Sequence, residues 1–241
     1  MWVKGCATRR SYLSTMMKSA LILATLVGFA ALAAAEPQPD ASSPGWSPLL
    51  AADLSNTESP AGVWSLANGE LSANADQCIW TKAEYENFLL DLEFKTAAGT
   101  NSGVLLYCTD TQNWIPHSVE VQILDQTAEK WAKTDPTWHS GGIFGHLAPL
   151  KPMTKKPGEW NRMTVEAKGK HLKVWLNGEL TADMDMALWT SAKKNPNGTG
   201  IPDWLSTPVA ELPNKGHIGL QGKHGDATVW FRKVQIKALG K

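Results

Sequence analysis

Cysteine is scarce in this 241-residue chain, and one of its three copies, Cys6, falls in an N-terminal stretch whose composition marks it for removal. Cys78 and Cys108 are then the only possible intramolecular pair. Two cysteines serve as well as small buried side chains as they do in a bridge, so a disulfide and two thiols both stay open. No HExxH, CxxC or P-loop pattern occurs, which leaves structural zinc and nucleotide chemistry without support. No GxSxG elbow occurs either, removing the usual sign of an esterase. Long helical periodicity is absent, and only Asp183 to Ala192 offers room for a short turn.

Long hydrophobic runs are missing but for one. Lys4, Arg9, Arg10 and Lys18 precede an apolar stretch from Ala20 to Ala35 that ends Ala33-Ala34-Ala35 before Glu36. A membrane span needs about 20 apolar residues. This run is shorter, rich in alanine and followed by a Pro-containing segment, the pattern of a secretory signal peptide. Residues 1–35 are therefore expected to be a signal, with no membrane span after cleavage and a periplasmic or extracellular destination. A start at Met16 or Met17 would keep Lys18 and the whole apolar run.

An excess of basic charge is also lacking. Loss of the four signal-borne cations leaves 19 basic residues against 23 acidic ones, a net of −4. Without a basic footprint for phosphate backbones, nucleic acid is not an expected partner.

Residues 36–45, rich in Pro, Ser and Asp, read as a flexible leader, and 46–241 as one domain. There the dominant signal is alternation. Phe88, Leu90, Leu92 and Phe94 alternate with Leu89, Asp91, Glu93 and Lys95; Val119, Val121 and Ile123 alternate with Glu120 and Gln122; Leu172, Val174 and Leu176 repeat the pattern. Strands with one face in a core are expected. Asn68-Gly69 and Asn177-Gly178 are dipeptides that accept the positive φ of two-residue hairpins, and Lys168-Gly169-Lys170 marks a third turn. Roughly ten to twelve short strands joined by Gly and Pro turns favour an all-β, two-sheet jelly-roll sandwich. Ala187 to Gly216 is long and irregular, as lids and binding walls are.

Aromatic composition is skewed. Beyond the signal stand eleven tryptophans but two tyrosines and four phenylalanines. Flat indole faces stack on the C–H faces of sugar rings, so carbohydrate is the expected partner, although Trp64, Trp80, Trp160, Trp175 and Trp230 sit where burial alone accounts for them. Trp114, Trp131, Trp138, Trp189 and Trp204 are the loop-borne candidates for sugar platforms.

If Val119, Val121 and Ile123 face the core, Glu120 and Gln122 project together from the other face, about 6.6 Å apart along the strand. That pair either lines a groove or is merely solvated. Retaining glycosidases of the laminarinase type place two carboxyls about 5–5.5 Å apart. Here the alternate positions read Glu120, Gln122, Leu124, and the second carboxyl is missing. The histidines are dispersed; His224 is distinguished by Gly222, Gly225 and Asp226 around it, a turn where backbone can approach a ligand.

Several segments in order (NSGVLLYC from Asn101, VEVQILD from Val119, GGIFGHLAP from Gly141, KPGEWNRMTVEAKGKHLKVWLNGE from Lys156, then GHIGLQGKHG and VWFRKVQIKAL) resemble the 3-keto-disaccharide hydrolase domain family over about Trp46 to Leu239. The resemblance implies a concanavalin-like sandwich, in exported proteins, acting on glycosides oxidised at C3. A 3-keto group acidifies the C2 proton, so one base can start an elimination that expels the aglycone from C1, and water then adds. Carried over by position, Glu120 is the implied base and His224 its catalytic companion. Gln122, Asp125, Asn101, Ser102, Tyr107, Trp114, Gln221 and Arg232 are the implied substrate contacts. Many members have Arg where this chain has Tyr107 and Asn where it has Lys233, and Lys223 lengthens the step before His224. Tyr cannot replace the fixed charge of Arg. No cofactor or metal ligand set is implied, and a loop-bound calcium is left open. The competing expectations are a non-catalytic carbohydrate-binding module and a conventional glycosidase using Asp125, Asp203 or Asp226 as second acid.

Overall fold

The computed structural model describes residues 36–240; the signal expected over 1–35 lies outside the described residues. Thirteen strands follow in chain order: β1 (Ser47–Pro48), β2 (Thr57–Glu58), β3 (Trp64–Ala67), β4 (Glu70–Ala73), β5 (Ile79–Tyr85), β6 (Phe88–Thr96), β7 (Asn101–Cys108), β8 (Val119–Leu124), β9 (Trp160–Lys168), β10 (His171–Leu176), β11 (Glu179–Asp185), β12 (Gly216–Leu220) and β13 (Val229–Ala238). An eight-stranded sheet runs β11-β10-β9-β6-β13-β4-β3 with β1 beside β13, and a five-stranded sheet runs β2-β5-β12-β7-β8. All pairings between these strands are antiparallel. The fold is an all-β, two-sheet antiparallel sandwich. No helix among the described residues is long and apolar enough to cross a membrane.

Alternation decides what meets between the sheets. Phe88, Leu90, Leu92 and Phe94 of β6 share one core with Val119, Val121 and Ile123 of β8 and Leu172, Val174 and Leu176 of β10. Each such side chain contributes about 1.5–3 kcal/mol on full burial. The hairpins form where the turn chemistry requires: Asn68 and Gly69, and Asn177 and Gly178, all have positive φ. The short turn foreseen after Asp183 is the 3-10 segment Met186–Leu188, capped by the Asp185 carboxylate accepting from the Ala187 N–H.

The leader is not loose. Residues 36–45, expected to be flexible, are hydrogen-bonded to the outer face of the eight-stranded sheet: Trp175 Nε1 donates to Glu36 O at 3.0 Å, Gln38 Nε2 to Thr164 Oγ1 at 2.8 Å, and Arg162 Nη2 to Pro39 O at 2.6 Å. Asp91, an outward position of β6, is consequently only 3% exposed, held by Arg162 Nε at 2.9 Å and by the Thr164 hydroxyl. Local composition could not reveal this, because the partners lie more than 100 residues downstream.

A bulge breaks alternation in β7. His217 of β12 pairs with Cys108 and Gly219 with Leu105, so Leu106 and Tyr107 together oppose Ile218. Tyr107 sits at φ +55 and turns into the core against Phe88. Its hydroxyl donates to Glu86 O at 3.1 Å and Gly169 O at 3.2 Å. The substrate contact implied for Tyr107 is therefore overturned, and nothing at that position reaches the outer face.

Candidate active site

The outer face of the five-stranded sheet carries the chemistry. A cleft of about 460 Å³ is lined by Glu120, Asn101 and Gln221 from strands or their ends, by Asp76 and His224 from turns, and by Trp114, Ile115, Trp138, Phe144 and Trp204. Glu120 and His224, the two residues placed first from sequence, line the same cleft.

Glu120 is positioned from both sides. On β7 its register partner is Leu105, and diagonally beside it, opposite Gln122, stands Gly103; a Cβ there would lie 2.2 Å from Glu120 Oε1. Only glycine lets the glutamate fold across its neighbour strand. On the other side the free edge of β8 is covered by the segment after Ser140. Gln122 N–H donates to Gly142 O at 3.0 Å, Gly141 N–H to Gln122 O at 3.0 Å, and Phe144 N–H to Glu120 O at 2.9 Å. This pairing sets Phe144 beside Glu120, and the 3-10 turn Pro136–Trp138, capped by Asp135, stacks Trp138 on Phe144 with centroids 5.0 Å apart. Trp204 meets Trp138 edge-on at 6.3 Å and is 52% exposed. It comes from the long Ala187–Gly216 loop, which packs down because Gly145 leaves space for Leu205 and Pro202. Through Trp204 that loop forms part of the cleft wall.

Among the described residues, no lysine or arginine lines the cleft. Burial without a compensating cation pushes the Glu120 carboxyl up to about 8. Its immediate polar partner is Gln122, fully buried; with its amide nitrogen turned to the glutamate it donates to Glu120 Oε1 at 3.0 Å and to Ser102 O at 3.2 Å. Opposite, the His224 N–H donates to Asn101 O at 3.1 Å, and His224 Nδ1 lies 2.7 Å from Asp76 Oδ2. When Nδ1 carries the proton it donates to the carboxylate, leaving Nε2 for another partner. Gln221 is 8% exposed, and its Oε1 has no hydrogen-bond partner among the described residues. A buried acceptor left empty in a cleft wall is suited to a ligand hydroxyl.

Other implied contacts fall elsewhere. Ser102 points to the core side and donates to Gln221 O at 2.8 Å, so it supports the wall and does not face the cleft. Asp125 is buried and occupied by the Gly99 N–H at 2.7 Å and the Thr127 N–H and hydroxyl at 3.1 and 2.6 Å. Arg232 lies on the other sheet, bonded to Glu93 and stacked over Trp160 at 3.9 Å. Among the loop tryptophans, Trp114, Trp138 and Trp204 line the cleft. Trp131 Nε1 donates instead to Gly99 O, and Trp189 is buried with Nε1 on Asn195 Oδ1. Cys78 and Cys108 are free, buried thiols beside Trp80 and Leu105.

Sequence reasoning missed Asp76, Gly103 and Phe144. Gly103 left a signal, a glycine inside the apolar run NSGVLLYC. Asp76 left none, since its partner is 148 residues away. No group of three or more His, Cys, Asp or Glu side chains suited to a metal ion occurs among the described residues.

The family model for the 3-keto-alpha-glucoside-1,2-lyase-like domain matches residues 42–237. A Bacteroides thetaiotaomicron protein named 3-keto-disaccharide hydrolase is 26% identical over 178 residues, which cover 65% of this chain and 60% of that protein. The chain thus spans less than two thirds of that relative's length. Among solved structures, a Parabacteroides distasonis protein provisionally named a glycosyl hydrolase superposes with a TM-score of 0.79 at 54% identity, over 80% of this chain and 99% of that one. A second protein from that organism, with the same provisional name, shares the fold at a TM-score of 0.65 and 21% identity, over 81% of this chain and 95% of its own.

Proposed function

Because the chain belongs to the 3-keto-alpha-glucoside-1,2-lyase-like domain family, we propose that it is an exported carbohydrate-active enzyme cleaving 3-keto-glycosides by elimination followed by hydration. The observation that carries the proposal is the Glu120 carboxyl, raised to about 8 by burial in an aromatic-walled cleft whose other carboxyl, Asp76, is bonded to the imidazole of His224. A base with its proton affinity near neutrality is matched to a carbon acid of the 3-keto type, whereas an ordinary carboxylate is too weak.

The sugar ring stacks in the cleft formed by Trp138, Phe144 and Trp204, and a ring hydroxyl donates to Gln221 Oε1. Ionised Glu120 takes the C2 proton. The C2–H electron pair forms an enolate with the C3 carbonyl, then a C1–C2 double bond as the C1–O bond breaks. His224, held through Nδ1 by Asp76 and protonated on both ring nitrogens, gives its Nε2 proton to the departing oxygen and regains one from the water that attacks next. Water then adds across the double bond, its oxygen to C1 and a proton to C2, giving a free 3-keto sugar. Glu120 returns the proton it took.

The three aspartates considered as second acid for a conventional glycosidase are not among the residues lining this cleft: Asp125 is occupied as described, Asp203 pairs with Lys193 on the surface, and Asp226 lies outside. The test is release of aglycone from a 3-keto-glucoside by the purified chain and by Glu120→Gln. Loss of about 10²–10⁴ in kcat is expected. Tight binding of unmodified oligosaccharides with no turnover of the 3-keto sugar would instead establish a binding module.

A further inference from the structure

A second hollow adjoins the cleft. It measures about 450 Å³ and shares Asp76 and Trp114 with the first. Glu120 and His224 line only the first hollow; Glu58, Gln77 and Gln112 line only the second. Asp76 and Trp114 therefore form a ridge between the two, and His224 is bonded to that ridge through Asp76 at 2.7 Å. A bond cleaved with help from His224 beside this ridge would send its leaving group toward the second hollow.

Its walls have a definite chemistry. One side is aromatic: Trp80 and Trp114 meet with centroids 6.5 Å apart at 56°, and the Trp80 ring seats closely on Gly219, where a Cβ would come within 2.4 Å. The other side offers the amides Gln77 and Gln112 and the carboxylates Glu58 and Asp76. No lysine or arginine lines it. An aromatic platform faced by amides and carboxylates suits a hydroxyl-bearing ring, whose apolar face stacks while its hydroxyls donate and accept. Asp76 is engaged by His224, but Glu58 has no ion-pair partner among the described residues, and its charge repels an anion.

We propose that this second hollow is the leaving-group subsite and that it selects an uncharged sugar ring, discriminating against uronic acids and phosphorylated aglycones. The assignment rests on the elimination chemistry proposed above. It places the second ring of a disaccharide substrate against Trp114, within reach of Gln77 and Gln112.

The test uses the full chain with three substrates that share the 3-keto-glucosyl ring: a methyl glycoside, a glucosyl-glucose disaccharide and its counterpart with glucuronic acid as the leaving ring. The wild type should favour the neutral disaccharide over both others by about tenfold or more in kcat/KM, a difference of about 1.4 kcal/mol. The double variant Gln77→Ala/Gln112→Ala, at exposed positions, should erase the advantage over the methyl glycoside without changing the methyl rate. Glu58→Lys should narrow the gap between the glucuronyl and glucosyl substrates. Equal rates on methyl and disaccharide substrates, or equal loss on both in the double variant, overturn the subsite while leaving the elimination reading intact. Failure of the wild type on all three substrates overturns both.

Discussion

Two strands of this protein, β6 and β8, present acids on their outward faces and treat them in opposite ways. On β6, Glu93 faces out beside Asp91; on β8, Glu120 faces out beside Gln122. Burial pushes the Glu93 carboxyl upward, but hydrogen bonds from Lys233 and Arg232 overcome it and hold the group below the ordinary range. Asp91 is buried under the N-terminal segment and paired with Arg162. Glu120 is half-buried, yet no cation among the described residues lines its cleft, and desolvation raises its carboxyl to about 8. The difference lies not in the strands but in what covers them. One sheet's outer face is closed by residues 36–45 and by Lys95 held between Trp160 and Trp230 at 4.6 and 4.9 Å. The other is left open as a cleft whose Gln221 Oε1 is unsatisfied. A saturated carboxylate is structural; an unsaturated one is available for proton transfer.

That contrast can be broken most strongly at Gly103. Gly103→Ala places a methyl where the Glu120 carboxyl now lies, 2.2 Å from Oε1, and should lower kcat on a 3-keto-glucoside by about a hundredfold or more, as expected for a displaced base. Retained activity would mean that the orientation of Glu120 is irrelevant. On the closed face, Arg162→Ala should leave kcat unchanged while costing about 2 kcal/mol of stability, because Asp91 stays buried without its charged partner. Urea unfolding read against turnover separates the two effects.

The pH dependence sharpens the comparison further. Glu120 works as a base only when ionised, so kcat/KM should climb as pH rises toward and through about 8. Stability moves the other way. The unfolded chain releases this proton near the ordinary glutamate value, the folded chain only near 8, so the unfolded state binds fewer protons between those limits and folding weakens as pH rises across them. Glu120→Gln should thus melt several degrees above wild type at pH 8 to 9 and close to it at pH 4. A melting difference that does not vary with pH would show that the carboxyl titrates normally. The smallest effect is expected at Arg232→Ala, which removes a partly exposed ion pair worth about 1 kcal/mol or less and leaves turnover untouched. A raised KM there would restore Arg232 to the substrate site.

Much of the fold was legible because its signals are local. Alternation in β6, β8 and β10 and the Asn-Gly dipeptides each depend on a few neighbouring residues, and the sandwich follows from burying one face of every strand. That Glu120 and His224 border one cleft was legible by motif and by face. Tyr107 was misread because a bulge adds a residue and reverses alternation after Leu105. Arg232 was misread because nothing in VWFRKVQIKAL says which sheet the strand joins. Asp125 was misread because its carboxylate is spent on the Gly99 and Thr127 amides, which only folding brings within reach.

The sequence by itself determined that the chain forms a two-sheet β sandwich and that β8 presents one carboxyl where two-acid glycosidases need a pair, since both follow from residue type and a period of two. Tertiary structure alone decided which outer face stays open, that Asp76 meets His224, and that Glu120 has no cation. Those outcomes depend on segments far apart in the chain arriving in one place, and short-range patterns carry no record of such meetings.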